Sequence, residues 1–322
     1  MNQIQGIREA VEKAESIVIM AHDREDADAL GSIFAMTAML RSRGKKAECL
    51  ISGPVEKRLL FMDGSYQIYQ NEQKPYALCI CIDCGSADRL GKRIPIFQQA
   101  EATINIDHHA TNTEFADVNL VDSKAAASGQ ILYRLFQELG WELNDQAAAF
   151  LYTAIASDTG GFKYSNTTCE TMEIAALLLR YHFDHAEIMR RLFDCMDLKI
   201  LKLRGAVMNQ IKSCAGGKIS YVRIEEDLLR QYGVAEEDAT DFVDIPRVAA
   251  GTEIAAELKV REGKIRVSLR SNGPANVAEI AAGFGGGGHI RAAGATLNFK
   301  TMDEAEKAVL AECEKALKKA GL

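Results

Sequence analysis

A carboxylate and two imidazoles, Asp107-His108-His109, close an apolar run that includes Thr103, Ile104 and Ile106. Oxygen and nitrogen donors of this kind suit Mn²⁺, Mg²⁺, Fe²⁺ or Zn²⁺. Three other apolar runs in the first half of the chain also end in acidic residues. His22, Asp26 and Asp28 follow Ile17–Ala21, Asp83 follows Tyr76–Ile82, and Asp158 follows a helical pattern from Asp145 to Ile155. A carboxylate at a helix carboxyl end is unfavourable unless a cation sits beside it. Together His22, Asp26, Asp28, Asp83, His108 and Asp158 are about the set needed by two divalent ions that share a bridging carboxylate. Ions held ~3.5–4 Å apart clamp the attacking and leaving oxygens of a phosphoryl displacement, and they lower the pKa of water to about 7. Taken one at a time, the same residues also read as solvated turns, with Asp28 as a helix N-cap.

A second group lies near the carboxyl end. Gly285-Gly286-Gly287-Gly288 is followed by His289 and Arg291. Consecutive glycines leave backbone N–H groups open to an anion, and an arginine offers a forked donor to phosphate. Arg270-Ser271-Asn272, at the end of a strand-like run, adds a guanidinium, a hydroxyl and an amide. The run is not a Walker-type loop, because no Gly-Lys-Ser/Thr follows it. A merely flexible loop is the other reading of this composition.

The elements that must position these residues follow from periodicity. A strand over Ser16–Ala21, a polar turn and a helix through Leu40 form the first half of a βαβ unit. Further strands are expected at Lys46–Ile51, Tyr76–Ile82 and the run ending at Asp107, with a short helix at Val55–Phe61 and longer ones at Ser128–Leu139 and Asp145–Ile155. Strand ends of an open α/β sheet are where ligands bind. The second half has strand-like runs at Lys218–Ile224, Thr252–Val260 and Lys264–Arg270, with a turn at Arg261–Lys264 and a helix at Glu237–Ala249. The expected fold class is α/β: a mostly parallel amino-terminal domain over 1–185, a helical connector over 186–213 and a smaller mixed-sheet domain over 214–322.

The chain has 322 residues, enough for two cores, and a formal net charge of −7. That balance argues against general duplex DNA binding, which calls for a basic excess. It still permits a small phosphorylated substrate in a locally cationic site. Ile17–Ala21 is too short for a membrane span or a secretory apolar region. The 8 irregularly spaced cysteines read as reduced thiols of a cytoplasmic protein. Cys81-Ile82-Asp83-Cys84 has redox or zinc spacing, but Cys79 and Cys81 alternate along an apolar strand and read as core.

The motifs His22-x-x-x-Asp26-x-Asp28-Ala-Leu-Gly-Ser, the strand ending at Asp83, Asp107-His108-His109 and Asp158-Thr-Gly resemble, in order, the four motifs of the DHH phosphoesterase superfamily. Gly285-Gly-Gly-Gly-His289-x-Arg291-Ala-Ala-Gly294 resembles the signature of the DHH-associated nucleic-acid-binding domain. The two-domain length is similar to that of NrnA-type oligoribonucleases and 3′-phosphoadenosine-5′-phosphate phosphatases. The resemblance implies two divalent ions, Mn²⁺ foremost. One would take His22, Asp26 and Asp83, and the other Asp28, Asp83, His108 and Asp158. It also implies catalytic roles for Asp83, for Asp107 as an orienting group and for His109 at the scissile phosphate. Arg270, Ser271, Asn272, Gly287, Gly288, His289 and Arg291 would bind substrate.

The implied activity is hydrolysis of short 5′-phosphorylated oligonucleotides and linear dinucleotides to mononucleotides, with 3′-phosphoadenosine 5′-phosphate as a further substrate. A pyrophosphatase of the family II type and a non-catalytic nucleotide-binding regulator are the alternatives. No membrane partner is implied, and a homodimer remains open. The chain departs from the family pattern at Glu25, where proline is usual, and at Ile290, where proline or lysine is common. An extra carboxylate at position 25 is expected to bear on metal preference.

Overall fold

β-Branched and apolar residues with no polar face make a strand that must be covered on both sides. The strand β1 (Ile17–Met20) is one such case, with all of its residues buried. The computed structural model describes residues 3–71, 74–261 and 263–322. It divides into two units, Met1–Cys195 and Met196–Leu322.

The first unit begins with α1 (Gln3–Lys13), then β1, α2 (Ala27–Arg41), β2 (Ala47–Ile51), β3 (Gln67–Ile68), β4 (Leu78–Ile82), α3 (Ile94–Gln99), β5 (Thr103–Asp107) and β6 (Val118–Val121). Four helices complete it: α4 (Ser128–Glu138), α5 (Asp145–Asp158), α6 (Cys169–Leu178) and α7 (His185–Phe193). The sheet order is β3-β2-β1-β4-β5-β6, and every pairing is parallel. The chain therefore winds outward from β1 to β3, returns, and winds the other way from β4 to β6. Strand order reverses between β1 and β4, and the crevice at the carboxyl ends beside such a reversal is where open α/β sheets bind ligands.

Ile17 and Ile19 lie on one face with Ile80, Ile82, Ile104 and Ile106, while Val18, Met20, Cys79 and Cys81 lie on the other. Each fully buried side chain of this size contributes about 1.5–3 kcal/mol relative to exposure, so the central strands are the rigid part of the unit. Helix α2 packs against α5 so closely that a methyl group at Gly31 would sit 2.6 Å from the Phe150 carbonyl oxygen. That approach brings the start of α2 and the end of α5, which carry Asp28 and Asp158, to the same end of the sheet.

The second unit contains α8 (Leu198–Met208), β7 (Lys212–Cys214), β8 (Ile219–Ile224), α9 (Glu226–Tyr232), α10 (Asp244–Arg247), β9 (Ile254–Arg261) and β10 (Lys264–Ser271). It ends with α11 (Val277–Gly283), β11 (Gly287–His289), β12 (Ala292–Leu297) and α12 (Met302–Lys319). Its sheet runs β11-β12-β10-β9-β8-β7, with β8 and β9 parallel and the other neighbours antiparallel. Along β10, Ile265, Val267 and Leu269 turn inward to a core completed by α11 and α12. By alternation, Arg266, Ser268 and Arg270 line the opposite face.

Some expected elements differ. The helix expected over Glu237–Ala249 is reduced to a short 3-10 turn at Glu236–Asp238 and to α10. Asp241 adopts φ +59, and Pro246 has no N–H for a helix that started upstream. The helix expected at Val55–Phe61 is a 3-10 turn over Lys57–Leu59. The segment expected to connect the halves, 186–213, holds two separate helices, α7 and α8, and the start of β7. Arg261 pairs with Lys264 across the expected hairpin, while Glu262 lies outside the described residues. Among the described residues, no helix is long and apolar enough to cross a membrane.

Candidate metal centre

The end of β1 delivers His22 into the crevice, 5 % exposed. Its Nδ1 lies 2.9 Å from the Asp23 carbonyl, which leaves Nε2 directed at carboxylates. Nε2 is 3.7 Å from Asp26 Oδ2 and 3.6 Å from Asp83 Oδ2. Asp26 is the N-cap of α2: its Oδ1 accepts from the Ala29 N–H at 3.0 Å, which is why the helix begins there. The other Asp26 oxygen is free to face His22.

Asp28, one residue into α2, has no exposed surface. Its Oδ1 accepts from Ser32 Oγ and the Gly129 N–H, both at 3.0 Å, and its Oδ2 accepts from the Ser128 N–H at 2.7 Å. The last two donors are the first N–H groups of α4, so Asp28 lies at the positive end of that helix. Gly129 is required there, since a methyl group would come within 2.7 Å of Ala154 Cβ.

Asp83 follows β4 with a φ of +58, a left-handed conformation that aspartate tolerates better than most residues. Ser128 Oγ donates to its Oδ1 at 2.9 Å. The same oxygen lies 3.5 Å from His108 Nε2 and 3.7 Å from His109 Nδ1. His108 Nε2 is also 3.4 Å from Asp158 Oδ2 and 3.9 Å from Asp28 Oδ2. Asp107 stands behind them, fully buried. Its Oδ1 binds His109 Nδ1 at 2.7 Å, and its Oδ2 accepts from Asn112 Nδ2 at 2.6 Å.

The six residues expected to hold metal thus come together from β1, α2, β4, β5 and α5. Their donor atoms, together with those of His109, form the groups His22–Asp26–Asp83, Asp28–His108–Asp158 and Asp83–His108–His109, each lying within 4.8 Å. Among the described residues, no lysine or arginine pairs with Asp28, Asp83 or Asp158. Burial, and then the charges of Asp83, Asp158 and Asp26, push the Asp28 carboxyl well above its usual range. Burial and the Asp83 and Asp26 charges do the same to Asp158. Burial alone would lower the His22 imidazole, but the Asp26 and Asp83 carboxylates raise it to about 10. Its charge in turn holds Asp26 below the usual range, against the effect of burial. Crowded carboxylates whose countercharge comes from imidazoles fit divalent cations, and oxygen with imidazole nitrogen is a donor set for Mn²⁺, Mg²⁺, Fe²⁺ or Zn²⁺.

His109 belongs to a proton-holding pair. The hydrogen bond to Asp107 raises its pKa, with burial opposing. Burial works to raise Asp107, but His109 and Asn112 outweigh it and hold the carboxyl low.

Two contributors escaped the sequence. Ser128 and Asn112 are common polar residues with no periodic signal, and only the fold shows that they fix Asp83 and Asp107. Glu25, expected to bear on metal preference, belongs to none of the donor groups among the described residues. Its Oε1 pairs with Arg93 at 2.7 Å instead. Cys79, Cys81 and Cys84 are buried free thiols outside these groups. His182 and His185 are exposed and belong to none of the donor groups among the described residues.

In the second unit, Arg270, Gly287, Gly288, His289 and Arg291 gather around one edge of the sheet, where Arg270 pairs with Ala292 and Ala292 with His289. His289 and Arg291 are exposed. Part of the glycine run is strand, not an open loop: β11 lies so close to β12 that a methyl group at Gly288 would sit 2.5 Å from the Ala292 carbonyl oxygen. Ser271 and Asn272 spend their donors internally. Ser271 Oγ binds Glu253 Oε1 at 3.3 Å, and Asn272 Nδ2 donates to the Arg247 and Thr252 carbonyls at 3.0 and 2.9 Å. Further along the polar face, Lys259, Arg261, Arg266, Ser268 and Gly286 help to line a cavity of about 380 Å³.

Comparison with known proteins matches residues 16–155 to the DHH family, N-terminal domain, and residues 215–319 to the DHHA1 domain. A bifunctional oligoribonuclease and PAP phosphatase NrnA from Thermus thermophilus is 34% identical over 306 residues, covering 95% of this chain and 91% of that protein. The protein of the same name from Bacillus subtilis is 30% identical, covering 93% and 94%. Among solved structures, an exopolyphosphatase-related protein from Bacteroides fragilis superposes with a TM-score of 0.91 at 25% identity, covering 98% of this chain and 96% of that one. Exonuclease RecJ bound to manganese shares the fold, with a TM-score of 0.53 at 15% identity over 96% of this chain and 93% of that one.

Proposed function

The chain belongs to the DHH family of phosphoesterases, and from that premise we propose that it hydrolyses short 5′-phosphorylated oligonucleotides to mononucleotides and dephosphorylates 3′-phosphoadenosine 5′-phosphate. The observation that carries this reading is the position of Asp83 between two donor groups. Its Oδ2 faces His22, and its Oδ1 faces His108. His22, Asp26 and Asp83 would hold one divalent cation, and Asp28, Asp83, His108 and Asp158 a second, with Mn²⁺ as the preferred ion. Bound there, such cations supply Lewis-acid polarisation of a phosphoryl group and a lowered pKa for water.

The protein's own residues do the rest. Ser128 Oγ and the αL backbone of Asp83 fix its two oxygens in different directions. Asp28 is held by the first N–H groups of α4, so its position does not depend on a cation. Asp107 aims the His109 ring through Nδ1 and favours its protonated form; in that form Nε2–H would be the donor left for a phosphoryl oxygen or for the departing oxygen. In the second unit, Arg270, His289 and Arg291 would take a substrate phosphate, with Arg291 offering two parallel N–H donors. Short substrates, linear dinucleotides among them, suit a site of a few cations better than a long duplex-binding surface would.

The test follows products over time from a 5′-labelled short RNA with Mn²⁺, beside 3′-phosphoadenosine 5′-phosphate and inorganic pyrophosphate. Mononucleotides and adenosine monophosphate are expected. Turnover of pyrophosphate alone would replace this reading with a pyrophosphatase, and tight dinucleotide binding without any product would replace it with a regulator.

A further inference from the structure

Beside the centre, Glu25 and Arg93 form an ion pair whose side chains are 5% and 1% exposed. A buried pair alone is a poor source of stability, because desolvation offsets the attraction. The remaining contacts of this pair show what else it does. Arg93 Nη1 donates to the Leu50 carbonyl at 2.8 Å, and Nη2 donates to the carbonyls of Ala21 and His22 at 2.9 and 3.0 Å. The guanidinium therefore joins the carboxyl ends of β1 and β2 and grips the backbone of His22 itself. Its Nε has no partner, so the two terminal nitrogens set its orientation.

Glu25 closes the network from the other side. Its Oε1 accepts from the Ser52 N–H and its Oε2 from Ser52 Oγ, both at 2.8 Å. Ser52 Oγ in turn accepts from the Arg24 N–H at 3.0 Å, which holds Arg24 at φ +60. Between these anchors the Asp23 N–H donates to the Arg89 carbonyl at 2.6 Å, and the Asp23 carbonyl orients the His22 ring. The turn from His22 to Glu25 is thus fixed on both flanks. Asp28, His108 and Asp158 make no hydrogen bond to any member of the network among the described residues.

We propose that the Glu25–Arg93 pair positions His22, and through it the cation site formed with Asp26 and Asp83, while leaving the Asp28–His108–Asp158 site alone. This rests on the metal-centre reading above. A planar five-donor group is needed to serve Glu25 and three carbonyls at once, and lysine cannot replace it. The carboxylate at position 25 therefore acts on the cation from behind its ligand and does not bind it.

The test is calorimetric titration of the metal-free full chain with Mn²⁺, alongside its melting temperature. Wild type is expected to take up two ions. Arg93→Lys, which keeps the charge, is expected to weaken one of them by about 10- to 100-fold, the usual cost of losing a ligand's support, with the other, which shares only Asp83 with it, changed by much less. His22→Ala should weaken the same ion, and the double variant His22→Ala/Arg93→Lys should lose no more than His22→Ala alone. If Arg93→Lys fails to fold by circular dichroism, Glu25→Gln, which keeps the shape, is judged by the same criteria. The proposal is overturned if the variant binds both ions as wild type does, if both ions weaken alike, or if the losses add. Failure of wild type to bind Mn²⁺ would instead remove the metal-centre reading itself.

Discussion

Asp83 Oδ2 lies 3.6 Å from His22 Nε2, while its Oδ1 lies 3.5 Å from His108 Nε2. One carboxylate thus meets imidazoles from two different strand ends, and a left-handed backbone turns it toward both. Asparagine also tolerates that backbone and matches the shape, so Asp83→Asn removes charge with little strain. The variant is expected to fold as wild type and to lose at least about 100-fold in kcat/KM on a 5′-phosphorylated dinucleotide. Steady-state kinetics with a circular dichroism control checks this, and near-normal turnover would contradict it.

Helix approach is the second requirement of the site. Gly31→Ala would press a methyl group to 2.6 Å from the Phe150 carbonyl oxygen, and overpacking of this kind costs about 1–3 kcal/mol. Gly205, inside α8, has nothing within 4 Å of an added methyl group. There, Gly205→Ala should stabilise by about 0.5–1 kcal/mol through helix propensity. Urea unfolding of the two variants should give shifts of opposite sign.

Most of the thiols are sealed. Burial pushes Cys49, Cys84 and Cys313 up to about 12, while Cys169 and Cys195 are exposed. A thiol reagent should label Cys169 and Cys195 quickly in the native protein and Cys49, Cys79, Cys81, Cys84 and Cys313 only after unfolding. Rapid labelling at Cys81 would contradict the packing of β4.

The brace behind α4 is sensitive to pH. Burial works to raise the Asp122 carboxyl, but Arg134, 2.6 Å away, and the Lys124 N–H hold it below its usual value. A carboxyl lowered by folding stabilises above its unfolded pKa of about 3.9, and that contribution is lost as pH falls through the folded value. The melting temperature of Asp122→Asn should therefore lie below wild type at neutral pH, with the gap closing as pH drops below about 4. A gap that is constant with pH would show that the ion pair is not its source.

Much of this arrangement was legible in the sequence because strands buried on both faces leave an unbroken apolar signal, and polar residues at their ends stand out. His22, Asp83 and Asp107 were visible for that reason. Asp158 stood out because a negative charge at a helix carboxyl end needs a partner. The edge strand β11 was hidden, since glycines chosen for close backbone approach look the same as glycines chosen for mobility. Arg93 was hidden as well. It lies in a 3-10 segment without periodicity, and a charged residue is ordinarily read as exposed. Ser128 reaches Asp83 across 45 positions, a contact that only the folded chain makes.

The most direct test is anomalous scattering from crystals of the full chain soaked in Mn²⁺. Two peaks are predicted, one on each side of the Asp83 carboxylate, the first among His22, Asp26 and Asp83 and the second among Asp28, Asp83, His108 and Asp158. A single peak, or two peaks of which either lies away from Asp83, would contradict the account.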